Sequence, residues 1–232
     1  MAKLITGKGL KKAIIRGLIY TGGAAAVYAA AEYSINQGKD LESICSVEIA
    51  PKHSRQELEG MVKAANTPQE AFIRVSMDIK FMGDGGMVGE CPQPSRWLSL
   101  QESYSLGEGD CMEGAIAFAA MLSDNPEYET RVVWIKAKPG LKDSEGNPMS
   151  AHAIALYKEN GKWGYTSFNV NTQNGYGSSI MDAVHEDAED AIRHCNSGAY
   201  GEYTIVEFTP EELKFGRLLQ KKMNEKLEWR QL

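Results

Sequence analysis

The sequence predicts an α+β fold, in which an antiparallel sheet packs against one alanine-rich helix and extra helices lie towards both termini. Helical segments with recognisable caps occur before residue 94, whereas segments rich in β-branched and aromatic residues lie between residues 130 and 169. The pair Asn160-Gly161 separates two of the latter segments and indicates a tight antiparallel hairpin. Helices and strands that are segregated along the chain in this way are typical of the α+β class.

Composition limits the classes of protein that the chain can belong to. With 232 residues, 43% of them hydrophobic and 24% charged, the chain can bury one sizeable core. A formal net charge of −6 gives no basic surface for nucleic acid, so nucleic acid is not an expected partner. No metal or organic cofactor is expected, since the predicted chemistry of the chain needs none. The cysteines show no C-x-x-C pair, which argues against zinc-ribbon and thioredoxin-type sites. They are Cys45, Cys91, Cys111 and Cys195.

The first 31 residues have the layout of a signal peptide or a membrane anchor helix. Five basic residues precede residues 17–31, which carry no charge and end in Ala29-Ala30-Ala31, a suitable cleavage site. An uncleaved anchor over residues 13–31 is the second interpretation, with Arg16 reaching the headgroups. An alanine-rich helix packed on the protein itself is the third. We therefore expect an exported or membrane-anchored protein, with a cytoplasmic location as the alternative.

Residues 32–94 are predicted to be a helical accessory segment. Ser54 can cap a helix over residues 55–65, and Thr67 with Pro68 and Glu70 forms a second helix start. That second helix carries an apolar stripe through Ala71, Phe72, Val75, Ile79 and Met82. A stretch rich in glycine and proline from residue 83 to residue 94 then ends the segment. The segment could serve as a lid, a propeptide or a scaffold.

Residues 95–232 are predicted to carry the chemistry. A turn over residues 106–110 leads into a helix over residues 111–122, in whose first turn Cys111 lies. The positive end of a helix favours a thiolate, which is the reactive form of cysteine. Strands are predicted over residues 130–136, 151–157, 163–169 and 203–208, and a capped helix follows Thr209. His152 therefore lies at the start of one strand and Asn169 at the end of the next.

These residues resemble the transglutaminase-like, papain-related superfamily. The similar motifs are Gly109-Asp110-Cys111-x-x-x-Ala115 opening a helix, His152-Ala153 opening a strand, and a Gly161-x-Trp163 strand that ends in a polar residue. The resemblance covers roughly residues 106 to 171. It implies a transglutaminase-like core in residues 95–232, with Cys111 as the nucleophile that attacks an amide or acyl carbonyl and His152 as the base.

The resemblance also implies a third residue that orients the histidine, and two positions compete for that role. The family more often has aspartate four residues after the tryptophan, where this chain has Ser167. Asn169 shares the predicted strand face with Ser167, and its amide oxygen can accept an imidazole N–H, so Asn169 is preferred. Asn171 is a more distant alternative. The oxyanion donors are predicted to be the backbone N–H of Cys111 and the side chain of Gln101 or Tyr104.

The predicted function is cysteine-dependent acyl transfer on amide bonds of a peptide or protein substrate. Hydrolysis through a Cys111, His152 and Asn169 triad, as in a cysteine protease or amidase, is preferred. Transglutaminase-type transfer to an amine and an inactive binding module of the same shape are the alternatives. An isolated cysteine or histidine is more often a core residue, so the functional interpretation depends on the two meeting in space. His185 and His194 are predicted to lie on a solvated helix face and not to bind a metal. Cys195 follows His194 directly, and adjacent side chains point in different directions, so the two are not expected to form a catalytic pair.

Overall fold

The computed structural model describes residues 51–81, 87–88, 91–92, 97–140, 151–169, 178–196, 199–215 and 227–232. These residues form a mixed α+β structure with a six-stranded antiparallel sheet, as the sequence predicts. The predicted signal or anchor helix at residues 1–31 and the alternative third residue Asn171 lie outside the described residues. Within the described ranges, no helix combines the length and the apolar character that crossing a membrane requires.

Six helices and ten strands occur in the described ranges. The helices are α1 (Arg55–Lys63), α2 (Pro68–Asp78), α3 (Leu100–Leu106), α4 (Cys111–Leu122), α5 (Ala188–Asn196) and α6 (Pro210–Phe215). The strands are β1 (Lys80–Phe81), β2 (Met87–Val88), β3 (Cys91–Pro92), β4 (Glu108–Gly109), β5 (Glu129–Ala137), β6 (Ala151–Glu159), β7 (Lys162–Ser167), β8 (Ser179–His185), β9 (Tyr200–Val206) and β10 (Arg230–Gln231).

The main sheet has the strand order β10-β9-β5-β6-β7-β8, and all of its neighbouring strands are antiparallel. The turn between β6 and β7 has positive φ angles at Asn160 (51°) and Gly161 (82°). Positive φ at both central residues matches the right-handed twist of a two-residue hairpin, which is why the Asn-Gly pair predicts this turn. The hairpin fixes the register that pairs Ile154 with Ser167.

Helices cover both faces of the sheet. Helix α4 packs on the face that carries Ala153 and Ala155, and every residue of α4 after Cys111 is buried. Helix α5 packs on the opposite face, where Ile154 and Leu156 lie. Alternate residues of β6 therefore contact different helices, as the two-residue period of a strand requires. The small side chains of α4 allow the helix to approach the sheet closely.

Helices α1 and α2 pack on α4 and share its core. Their starts follow the predicted caps, since Ser54 and Thr67 accept the backbone N–H groups of Glu57 and Glu70. Helix α2 ends at Asp78, before the end of the predicted stripe. Its backbone turns extended at Ile79, and the N–H of Lys80 donates to the carbonyl of Gly107 at 2.9 Å. This bond belongs to the short parallel pairing of β1 with β4, just before α4.

Candidate active site

Cys111 is the first residue of α4, and a capping box holds it there. The carboxylate of Asp110 accepts the N–H of Met112 at 2.8 Å, while the carboxyl group of Glu113 accepts the N–H of Asp110 at 3.0 Å. The two reciprocal bonds fix where the helix begins. Cys111 consequently lies where first-turn N–H groups and the helix dipole favour negative charge.

Glu113 ties a neighbouring segment to this helix start. Its side chain is only 1% exposed, and its second oxygen accepts the N–H of Leu98 at 3.1 Å. Burial, and then the negative charge of Asp110, raise the pKa of Glu113 well above its usual value. A neutral Glu113 can still accept both N–H bonds, because each of its oxygens keeps a lone pair. It therefore anchors residue 98 without placing a second full charge beside Cys111.

The sulfur of Cys111 lies at the edge of β6. The backbone N–H of Ala153 donates to the Cys111 Sγ at 3.4 Å. The ladder between β6 and β7 ends at the pair of Ile154 and Ser167, so this contact lies one residue beyond it. The nitrogen of Ala153 belongs to the peptide bond that follows His152. The sulfur therefore lies beside the backbone that carries His152, although the two residues belong to separate elements.

The ring of His152 is held by a short chain of polar side chains. Its Nε2 lies 2.8 Å from the Oγ of Ser167, and the amide Nδ2 of Asn169 donates to the same Oγ at 3.1 Å. Ser167 thus makes the direct contact, and Asn169 acts one hydrogen bond further away, which differs from the sequence-based preference for Asn169. The end of the ladder is the reason. The register would set Asn169 opposite His152, but the pairing stops at Ser167, which lies diagonally opposite His152 on the same face of the sheet.

The protonation state of His152 follows from its surroundings. Burial lowers the pKa of the imidazole to about 4, and the negative charge of Asp110 acts in the opposite direction. The ring is therefore neutral at neutral pH. When its Nε2–H donates to the hydroxyl of Ser167, Nδ1 is left with a lone pair. Nδ1 is the ring nitrogen nearer the backbone.

A close contact at Gly114 brings the end of β7 to this helix. A Cβ atom added at Gly114 would lie 2.5 Å from the Cγ of Phe168 and 2.7 Å from the Cε1 of Phe81. Phe168 comes between Ser167 and Asn169 in the sequence. A glycine at this position therefore allows α4 to approach the segment that holds His152. The D-x-x-E pattern of Asp110 and Glu113 is a readable sequence signal for the capping box, whereas no local pattern signals the role of Gly114.

The two predicted oxyanion side chains lie elsewhere in the described structure. The amide of Gln101 donates to the carbonyl of His53 at 3.3 Å. The ring of Tyr104 is 6% exposed and contacts the ring of His53, with centroids 6.4 Å apart. Burial and the charge of Asp78 raise the pKa of Tyr104. Both side chains therefore contact His53, and neither has a described contact with Cys111.

The second histidine and cysteine pair lies at α5, on the face of the sheet that carries Ile154. The rings of His185 and His194 have centroids 5.0 Å apart, and the Nδ1 of His194 lies 3.3 Å from the hydroxyl of Tyr165. Burial raises the pKa of Cys195 to about 12. Among the described residues, no group of three or more His, Cys, Asp or Glu side chains is arranged to hold a metal. Of the two cysteines with described side chains, neither is in a disulfide.

Comparison with known proteins adds no family to this geometry, because neither a protein-family model nor a curated protein matches the chain.

Proposed function

We propose that this chain is a transglutaminase-like, papain-related cysteine hydrolase that cleaves amide bonds by acyl transfer. One observation carries the proposal: the Cys111 Sγ accepts the N–H of the residue that follows His152, at 3.4 Å. A nucleophile, a base and an orienting group in hydrogen-bonding reach of one another are the signature of an activated nucleophile. We assign these roles to Cys111, His152 and Ser167, with Asn169 supporting Ser167. Ser167 lies within hydrogen-bonding reach of the His152 ring, and the Cys111 sulfur lies beside the backbone that follows His152.

In the acylation step, Nδ1 of His152 takes the thiol proton of Cys111 while the sulfur attacks the carbonyl carbon of the substrate. The carbon–sulfur bond forms, and the carbonyl electron pair moves to oxygen. Backbone N–H groups at the start of α4 stabilise that oxyanion. The imidazolium then returns its proton to the amide nitrogen, the carbon–nitrogen bond breaks, and an amine leaves. A thioester on Cys111 remains.

In the deacylation step, His152 removes a proton from water, and the resulting hydroxide attacks the thioester carbon. Collapse of the tetrahedral intermediate releases a carboxylic acid and regenerates the thiol. An amine could replace water and give transglutaminase-type transfer, but that reaction needs a second binding site for the amine. Hydrolysis needs water alone, and it is the outcome we propose. A peptide or protein is the proposed substrate, since both supply the amide bond.

Ser167 and Asn169 are proposed to orient the base. The hydroxyl of Ser167 accepts the Nε2–H of His152, which leaves Nδ1 to receive the thiol proton. The amide of Asn169 donates to the same hydroxyl oxygen at 3.1 Å and so holds the serine in place. A neutral hydroxyl orients the ring without adding charge, which fits an imidazole that burial already keeps neutral.

A peptidyl chloromethyl ketone tests the proposal, because it carries an amide-like backbone and alkylates a nucleophilic thiol. We expect labelling of Cys111, located by mass mapping, and no labelling at that position in Cys111→Ser. The matched control is Cys195→Ala, which removes the other described thiol and should leave the labelling unchanged. Wild-type protein that resists the reagent, or reacts only at cysteines other than Cys111, would rule out this function.

A further inference from the structure

Tyr200, the first residue of β9, lies against the candidate base. Its ring stacks on the ring of His152, with centroids 6.1 Å apart and an angle of 22° between the ring planes. We propose that Tyr200 is a positioning residue for the thiol reaction, whose ring shields the imidazole of His152 from water and keeps it neutral and fixed. The proposal rests on the function proposed above for Cys111 and His152.

An irregularity in the sheet brings Tyr200 to this position. Strands β5 and β9 pair regularly from Val132 to Lys136, and the register then shifts so that Ala137 pairs with Tyr200. An uninterrupted register would pair Ala137 with Gly201, which has no side chain. The shift therefore sets an aromatic ring where a regular ladder would leave a gap. Such bulges often redirect a side chain beside a functional site.

The other groups around His152 lie at its Nε2 and beside its backbone, which leaves a face of the imidazole for the Tyr200 ring to cover. Ser167 lies at Nε2, with Asn169 behind it, and the Cys111 sulfur lies beside the backbone. Asp110 is the charged group, among the described residues, whose negative charge favours the imidazolium. Burial nevertheless outweighs that charge and lowers the pKa of His152 to about 4. A stacked ring excludes water from a face of the imidazole, so Tyr200 contributes to that burial.

Removal of the ring should let water reach the imidazole and stabilise its protonated form. His152 would then titrate at a higher pH, towards the ordinary value of about 6.5. A protonated imidazole cannot accept the proton of Cys111, so the rate of the thiol reaction falls at low pH. The midpoint of this fall, the acid limb of the pH–rate profile, should rise by the same number of pH units. An interaction of the π-face with the imidazolium would have the opposite effect, because its loss would lower the titration midpoint.

The experiment follows the four histidines of the 232-residue chain by NMR titration with labelled histidine, and assigns His152 with His152→Gln. In Tyr200→Leu we expect the His152 midpoint to rise by about two pH units, and the acid limb of iodoacetamide labelling at Cys111 to move with it. Tyr200→Phe keeps the ring and should behave as wild type. The control Tyr128→Leu removes a tyrosine that contacts Glu159 and should change neither midpoint.

An unchanged or lowered midpoint in Tyr200→Leu would overturn the proposal. Tyr200→Thr provides a second variant with good strand propensity, and unfolding of both, seen by circular dichroism, would also overturn it by making Tyr200 a structural residue. The proposed function can fail separately. If Cys111 is inert in every variant while the midpoint still rises, Tyr200 shields His152 but no thiol reaction depends on it.

Discussion

Cys111 and Cys195 are both close to a histidine, yet the protein gives their thiols opposite surroundings. Cys111 begins α4 and contacts the backbone beside His152, whereas Cys195 lies in the last turn of α5, on the other face of the sheet. The positive end of a helix favours a thiolate, and the negative end disfavours it. Burial also raises the pKa of Cys195 to about 12. Position on a helix, and not adjacency in sequence, therefore distinguishes a candidate nucleophile from an inert thiol.

The largest expected effect is the loss of amide hydrolysis in Cys111→Ala. Nucleophilic catalysis has no substitute at this site, so we expect a fall of at least about 10³-fold in the rate of hydrolysis of a peptide library. Cys195→Ala should retain the wild-type rate. Product analysis by mass spectrometry measures both. Loss of activity in Cys195→Ala instead would contradict the assignment of Cys111 as the nucleophile and Cys195 as the inert thiol.

The pH dependence of stability is expected to distinguish His152 from His194. The pKa of His152 is lowered to about 4, whereas an unfolded histidine titrates near about 6.5. Between these values the unfolded chain binds more protons, so stability is complete above about pH 6.5 and falls as the pH drops towards about 4, by up to about 3 kcal/mol.

Urea unfolding of wild type, His152→Gln and His194→Gln at pH 7 and pH 4.5 measures this effect. We expect His152→Gln to lose less stability on acidification than the other two proteins, since it has no imidazole to protonate at the site. His194 is exposed and serves as the control. Equal losses in all three proteins would show that the environment of His152 is not special.

A substitution at Gly114 tests whether close packing positions the start of α4, where Cys111 lies. An alanine there would overlap Phe168 and Phe81, and we expect Gly114→Ala to cost about 1–3 kcal/mol of unfolding free energy and to slow labelling of Cys111. Gly60→Ala, in α1, is the matched control because nothing lies within 4 Å of the added methyl group. That change should stabilise the protein by about 0.5–1 kcal/mol. Equal effects of the two substitutions would contradict the packing argument.

The smallest expected effect concerns Ser167. Ser167→Ala removes the hydroxyl that contacts His152 and should slow labelling of Cys111 by about tenfold, as expected for the loss of one hydrogen bond. Ser167→Asp should raise the pKa of His152 through its carboxylate and move the acid limb upwards. Ser123→Ala, at the far end of α4, is the control. If both Ser167 variants are labelled at Cys111 as wild type is, Ser167 is not part of the site.

The sequence alone was sufficient for features that depend on near neighbours. The caps at Ser54 and Thr67 and the turn at Asn160-Gly161 use contacts within a few residues, so their patterns predict them. The α+β class follows from the same local patterns. The end of α2 was harder to predict, because the pairing of Lys80 with Glu108 joins segments that are distant in the chain.

The details of the candidate site depend on register and on packing, which local patterns do not specify. Ser167, and not Asn169, contacts His152 because the ladder between β6 and β7 ends at Ser167. Tyr200 reaches the same ring because of a register shift on another strand. The role of Gly114 is visible only when Phe168 is packed against it. Strand β8 was not predicted either, since its alternating, largely exposed residues give a weak signal.

The pH profile of iodoacetamide labelling at Cys111, compared between wild type and His152→Gln, tests most directly whether the two residues act as a pair. If they do, wild-type Cys111 reacts rapidly at neutral pH. His152→Gln then reacts slowly there and reaches high rates only near the ordinary thiol pKa of about 8.5. Superimposable profiles would contradict the pairing and leave Cys111 as an ordinary thiol at the start of a helix.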